Sequence, residues 1–294
     1  MKDRGVAKVV RAKLPTGSVA ELLAKISPKR QQTIRQVLEH PVEYVLFSVR
    51  KLATHLKMDP STLLRTILAM GFSEYRDFQE YLHQLSISHA TSLDLARPAV
   101  VAKKTASAQI EAAIRQDQQN LRALSHGLDV KRTSSLGAKF FSVRRILVFG
   151  SDSVEPLVRY LEYQLHALEL PIVPATCAGS MVHVSHSATK KDLVIAISFR
   201  RGLRPTVEAL KCARSAGAYC IGITDSSISP IARYSNEYFI VSIESPFGTS
   251  YTAPMALFNA VISGTAFCRP RRTMILLQKF DKEQRTGYRW YQEE

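Results

Sequence analysis

In the first third of the chain, the side chains best suited to chemistry are Ser61, Thr62, Arg65 and Thr66, which follow the pair Asp59-Pro60. Aspartate is a strong N-cap and proline is pre-organised for the first helical position, so a helix over residues 60–70 is expected, with Gly71 ending it. At helical spacing Leu63, Leu64, Ile67 and Leu68 form an apolar stripe, with the hydroxyls and Arg65 opposite. Short hydroxyl side chains let a helix approach base edges, and a guanidinium can make paired hydrogen bonds to guanine. A helix over residues 48–56 precedes it, capped by Ser48, with Val49, Leu52, Ala53 and Leu56 on one face and Lys51 on another. The turn Lys57-Met58-Asp59 joins the two. This is the helix-turn-helix arrangement, although the same pattern suits a helical bundle whose second helix merely faces water.

A second set of candidates follows the apolar runs of the last half. Gly150-Ser151-Asp152-Ser153 follows one run, Ser198-Phe199-Arg200-Arg201 another, and Thr224-Asp225-Ser226 a third. Parallel sheets bind ligands at the carboxyl ends of their strands. A glycine, several hydroxyls and two arginines converging there would suit an anion, with helix N-termini adding backbone donors. Ser, Thr and Asp are equally what ordinary helix starts need, so for any single one the capping role stands beside the binding role. His183 and His186, three apart, read as surface histidines and lack a third metal ligand at any telling spacing. Cys177, Cys212, Cys220 and Cys268 contain no C-x-x-C pair, which gives neither a zinc site nor a disulfide framework and suits reduced thiols in a cytosol. No catalytic group, metal or cofactor is expected.

The elements that must position these residues fall into three regions. Residues 26–85 carry helical periodicity in short segments and read as five short helices, including 31–38 and 74–85. Residues 97–141 turn polar and rich in Ala and Gln; Ile110, Ile114, Leu121 and Leu124 predict one connecting helix over 102–128. From residue 144 short β-branched runs (146–150, 172–176, 193–198, 219–224 and 238–243) alternate with helical stretches, which predicts a doubly wound parallel sheet of five strands. The expected organisation is a basic flexible arm (1–20), a helical DNA-binding domain (21–97), a helical linker (98–141), a sheet domain that binds an effector (142–268), and a last helix with an aromatic tail of Tyr288, Trp290 and Tyr291 (269–294).

The 294 residues are too many for one ordinary domain. A composition 46% hydrophobic and 22% charged suits packed domains rather than a disordered chain. Lysine and arginine total 40 against 25 acidic residues, a net charge of +15, denser in the first half. Five basic residues lie between Lys2 and Lys13 with only Asp3 opposing them, an arm that would attract phosphate backbones without reading sequence, or simply keep the chain soluble. No apolar run approaches the roughly 18 residues of a membrane helix.

Two sets of motifs resemble a known family. Ser48-Val-Arg-Lys-Leu-Ala-Thr-His-Leu56, Asp59-Pro-Ser-Thr-Leu-Leu-Arg65 and Met70-Gly-Phe72 resemble the N-terminal domain of RpiR-family bacterial regulators. Ile146-Leu-Val-Phe-Gly150, Asp192-Leu-Val-Ile-Ala-Ile-Ser198, Thr206-Val-Glu208 and Ile221-Gly-Ile-Thr-Asp225 resemble the sugar isomerase (SIS) domain of the same family, flavodoxin-like in fold. The resemblance implies a cytoplasmic homodimer or dimer of dimers that binds a near-palindromic operator in double-stranded DNA and senses a small anionic metabolite, commonly a sugar phosphate. It implies base-reading roles for Thr62 and Arg65, and effector contacts for Ser198, Thr206 and Glu208. The usual S-x-S-G-x-T phosphate loop is altered: Arg200, Arg201 and Leu203 stand where Ser, Gly and Thr are expected, so the arginines would hold the anion instead. Glu208 matches a glutamate used by some SIS isomerases, which makes a sugar-phosphate isomerase the alternative. The altered loop and the absence of a second acid or base argue against catalysis.

Overall fold

The computed structural model describes residues 14, 15, 18–89, 93, 100–102 and 105–286, so the basic arm between Lys2 and Lys13 and the aromatic tail lie outside the described residues. The chain divides into two compact units after His89.

The first unit is helical: α1 (Val19–Ala24), α2 (Pro28–Glu39), α3 (Pro41–Tyr44), α4 (Val49–His55), α5 (Pro60–Ala69) and α6 (Tyr75–His89). Residues 26–85 thus hold the five helices the periodicity predicts, one of them the single turn that Pro41 starts after α2, and α1 precedes them. Leu22, Ile34, Val37, Leu38, Leu52, Leu63, Ile67, Met70, Phe78 and Tyr81 make the core. Tyr75 and Gln79 of α6 donate to the Phe47 carbonyl at 2.7 and 2.9 Å, fixing the approach to α4. Burial pushes the Tyr75 hydroxyl up to about 12, which keeps it a donor.

The turn between α4 and α5 is set by the backbone. Lys57 adopts left-handed φ, and its N–H and that of Met58 bond back to Thr54 and Ala53 at 3.1 and 2.9 Å. This is a helix-terminating arrangement without glycine. Gly71, φ 104°, ends α5 as expected. The apolar face of α5 is rotated from the expected stripe. Leu63, Thr66, Ile67 and Met70 are buried, whereas Leu64 and Leu68 are 37% and 44% exposed.

The second unit holds α7 (Ala106–Gly127), α8 (Val130–Phe140), β1 (Arg145–Phe149), α9 (Glu155–Ala167), β2 (Ile172–Ala175), α10 (Ala178–His186), β3 (Asp192–Ile197), α11 (Arg204–Ser215), β4 (Tyr219–Thr224), α12 (Pro230–Tyr234), β5 (Glu237–Ile240), α13 (Thr252–Cys268) and α14 (Pro270–Thr286). The sheet is all-parallel in the order β2-β1-β3-β4-β5, the doubly wound arrangement expected from sequence. Strand side chains alternate between two cores. Ile146, Val148, Leu193, Ile195, Ile221 and Ile223 pack with α8, α9 and α13, while Leu147, Phe149, Val194, Ala196 and Cys220 pack with α10, α11 and α12.

Of the stretch expected as a helical linker, residues 106–140 are packed into the second unit. Helices α7 and α8 pack on α13 within this unit. At Gly137 the backbones of α8 and α13 come so close that a Cβ would stand 2.9 Å from the Thr265 Cα. The predicted connecting helix thus packs against α13, a helix of the layer that covers the sheet.

At the opposite end of the sheet from the candidate loops, Asp192 is fully buried. It accepts from Arg144 at 2.9 and 2.6 Å, from Arg145 at 3.4 and 3.2 Å, and from the Thr189 N–H at 2.9 Å. Burial would raise its carboxyl, but these donors together hold it well below the usual carboxylate range. A carboxyl lowered on folding contributes stability above its unfolded-state value and loses it as pH falls toward the folded one. Asp192→Asn should therefore cost about 2 kcal/mol at pH 7, near the lower end for a broken buried pair because both arginines reach solvent. Urea denaturation of the full chain from pH 7 downward should show that deficit shrinking below about pH 4; a deficit independent of pH would contradict the charge assignment.

Candidate DNA-reading and anion-binding sites

Asp59 builds the start of α5. Its carboxylate accepts from the Ser61 and Thr62 N–H groups at 2.9 and 3.2 Å and from the Ser61 hydroxyl. The hydroxyl bond chiefly, then the Thr62 N–H, hold the carboxyl below its usual range, and Arg65 adds a smaller pull. Arg65 is exposed and lies back over the first turn, its Nε 3.3 Å from the Ser61 carbonyl and its Nη2 3.4 Å from the Thr62 hydroxyl. Ser61 is exposed and Thr62 half-buried. Thr66, expected on the same face, is fully buried; its hydroxyl donates to the Thr62 carbonyl at 2.8 Å. The hydroxyl is satisfied by the preceding turn, which lets Thr66 sit inside the bundle. Lys51 is exposed on α4, with its ammonium 4.1 Å from the centre of the Phe47 ring. Arg50, its neighbour, is also exposed and was not singled out in the sequence; its only signal was a position in the first turn of α4.

In the second unit the parallel register brings the three loops level. Phe149 pairs with Ala196 and Ile197 with Ile223, so Gly150, Ser198 and Thr224 follow at the same edge. Strand order reverses between β1 and β3, the place where such sheets open a crevice. Gly150 is required there: a Cβ would stand 2.8 Å from Val158 and 3.3 Å from the Ile197 carbonyl. Asp152 and Arg200 both adopt left-handed φ, 60° and 58°, turning the β1 and β3 loops sharply. Ser151 is half-buried, and Ser153 and Arg201 are exposed.

Most of the buried hydroxyls here are committed to the framework. Ser198 accepts the Leu203 N–H at 2.9 Å and so caps the start of α11. Thr224 donates to Ser229 at 2.9 Å, and Ser226 accepts the Ile228 N–H at 3.3 Å. Thr206 is fully buried beside the Met181 sulfur, 3.9 Å away. Thr206, Thr224 and Ser226, expected as effector contacts, are buried and help hold the loops in shape. Glu208 is exposed and paired with Lys211 at 3.1 Å. Position 208 on α11 falls on the solvent face between buried Val207 and Ala209.

The charge that converges is centred on Arg200. Its side chain is only 16% exposed, its Nη1 stands 3.5 Å from a Glu244 oxygen, and its N–H donates to Asp225 at 2.8 Å. Burial raises the Asp225 carboxyl, opposed by that N–H and by the Arg200 charge. Glu244 and Asp225 were both missed as members of the site. Asp225 stood in the quoted loop, but Glu244 arrives from the segment after β5 and has no local signal. Among the described residues no three His, Cys, Asp or Glu side chains come together as metal ligands, and none of the four cysteines is bonded. No helix of the described residues is long and apolar enough to cross a membrane.

The match to known proteins follows this division. Residues 139–264 match the SIS domain. A helix-turn-helix type transcriptional regulator of Haemophilus influenzae is 24% identical over 231 residues, 77% of each chain. Among solved structures, the sugar isomerase domain of an RpiR transcription factor from Sphaerobacter thermophilus aligns with a TM-score of 0.55 at 23% identity, over 58% of this chain and 96% of that one. The Vibrio vulnificus NanR protein complexed with ManNAc-6P aligns with a TM-score of 0.54 at 15% identity, over 90% of this chain and 97% of that one.

Gly150→Ala should cost about 1–3 kcal/mol through overpacking and displace the β1 loop. Denaturation of the full chain measures the first. Unchanged stability would mean that the strand end and α9 are not in the close contact described.

Proposed function

We propose that this chain, which carries a SIS domain, is a transcriptional regulator of the RpiR type in which α5 reads an operator and the loops after β1, β3 and β4 take up a small anionic metabolite. The observation that carries the DNA half is the first turn of α5. Leu63, Thr66 and Ile67 anchor it, while Ser61 and Arg65 face outward beside half-buried Thr62. A recognition helix contacts base edges through its N-terminal residues, and Lys51 and Arg50 on the preceding helix suit phosphates.

The protein acts as a cytoplasmic homodimer, placing two α5 helices in successive major grooves of a near-palindromic site. The metabolite shifts the balance between arrangements that do and do not match the half-site spacing. Sugar phosphates are the favoured class of ligand, since the similar Vibrio vulnificus NanR protein is complexed with ManNAc-6P. Arg200 and Arg201 supply the charge, with the Ser151 and Ser153 hydroxyls beside them. An isomerase is not supported by the geometry, because Glu208 is exposed and ion-paired with Lys211.

Arg65→Ala should reduce preference for the operator over random DNA by about 1–3 kcal/mol, with folding unchanged. Footprinting and competition at fixed salt measure this, and an unaltered footprint removes Arg65 from the reading face. A thermal-shift screen of the full chain with ManNAc-6P, other phosphosugars, carboxylates and amino acids should find a stabilising anion whose effect disappears in Arg200→Ala. Stabilisation that survives that substitution places the ligand elsewhere.

A further inference from the structure

Helix α7 opens the second unit's run of helices, and only one of its side chains is buried, Asn120. Its amide donates to the Glu244 carbonyl at 2.8 Å, and its oxygen accepts from Ser242 at 2.8 Å and from Gln116 at 3.1 Å. One turn earlier, Asp117 accepts from the hydroxyls of Ser250 and Thr252, the latter at 2.8 Å. Every one of these partners except Gln116 belongs to residues 242–252, the segment that runs from β5 into α13. The same segment carries Glu244, whose side chain meets Arg200, and Tyr251, whose ring lies 6.0 Å from that of Phe199. Two adjacent residues of the anion loop therefore touch the segment that grips α7.

We propose that the Arg200–Glu244 ion pair locks α7 to the sheet domain, and that an anion entering the strand ends opens the lock by taking Arg200 from Glu244. This rests on the anion site proposed above and supplies its output. Geometry decides the competition. Glu244 stands 3.5 Å from the guanidinium, whereas a phosphate can accept two parallel bonds at about 2.7–2.9 Å. Once Glu244 is displaced, the segment loses the tether that sets its position. Asn120 then risks an unsatisfied buried amide and Asp117 its two hydroxyl donors, so α7 loosens. The segment is the two-state element that both the ligand and α7 bias, which is what coupling between separated sites requires.

Hydrogen exchange of the full chain tests this. Glu244→Gln retains the backbone carbonyl that Asn120 uses and removes only the charge facing Arg200. Without any ligand, it should accelerate exchange in residues 106–127 by about tenfold while β1, β3 and β4 keep their protection. Inorganic phosphate at constant ionic strength should accelerate the same residues in the unmodified chain and add nothing in Glu244→Gln. Asp117→Asn, which leaves the loop intact, should produce the same acceleration and still respond to Arg200-dependent phosphate binding. Unmodified α7 exchange in Glu244→Gln overturns the lock. Acceleration in Glu244→Gln with no response to phosphate in the unmodified chain upholds the lock and removes the anion site. If Glu244→Gln also exposes the strands, Asp117→Asn decides: acceleration confined to α7 supports the lock, and none overturns it.

Discussion

A parallel sheet must be covered on both faces, and in the second unit that requirement sets almost everything else. Its strands are apolar on both sides, and their side chains alternate between a core beneath α8, α9 and α13 and another beneath α10, α11 and α12. Parallel pairing also sends every strand the same way, so all the loops that can bind a ligand open at one edge. The price is tight packing at that edge: Gly150 leaves no room for a side chain, and Ser198, Thr224 and Ser226 spend their hydroxyls on shaping the loops. The proposed ligand site is therefore centred on Arg200 rather than on the run of hydroxyls around it.

Covering the sheet also decides the role of α7 and α8. Because α8 approaches α13 closely at Gly137, the helical stretch before the sheet is drawn into the sheet domain. A change at the strand ends therefore meets the chain leading toward the DNA-reading unit inside one packed body, at Asn120 and Asp117, rather than across a loose tether.

Periodicity was legible wherever burial was simple. The five strands, the cap at Asp59 and the stop at Gly71 follow from apolar runs and from local capping chemistry. The rotation of α5 was not legible. Leu64 and Leu68 are apolar and Thr66 is not, yet Thr66 is inside, because its hydroxyl can bond to the turn below. Among the site residues, Ser198 and Arg200 are where the strand pattern puts them, but a sequence cannot say whether a hydroxyl at a helix start is still available to a ligand. Thr206 and Glu208 came from family resemblance, and the structure gives one to the core and the other to a surface ion pair. Glu244 was invisible because its meeting with Arg200 is made by tertiary folding across 44 positions.

The central claim is that one protein both prefers a particular DNA sequence and changes that preference when an anion binds. The most direct measurement is the affinity of the full chain for a sequence selected from genomic DNA, at physiological salt, with and without the anion that most stabilises it. The affinity for that sequence should change by at least about fivefold, with a much smaller change on random DNA. Equal affinity for selected and random DNA, or a selected-site affinity indifferent to a bound anion, would contradict the claim.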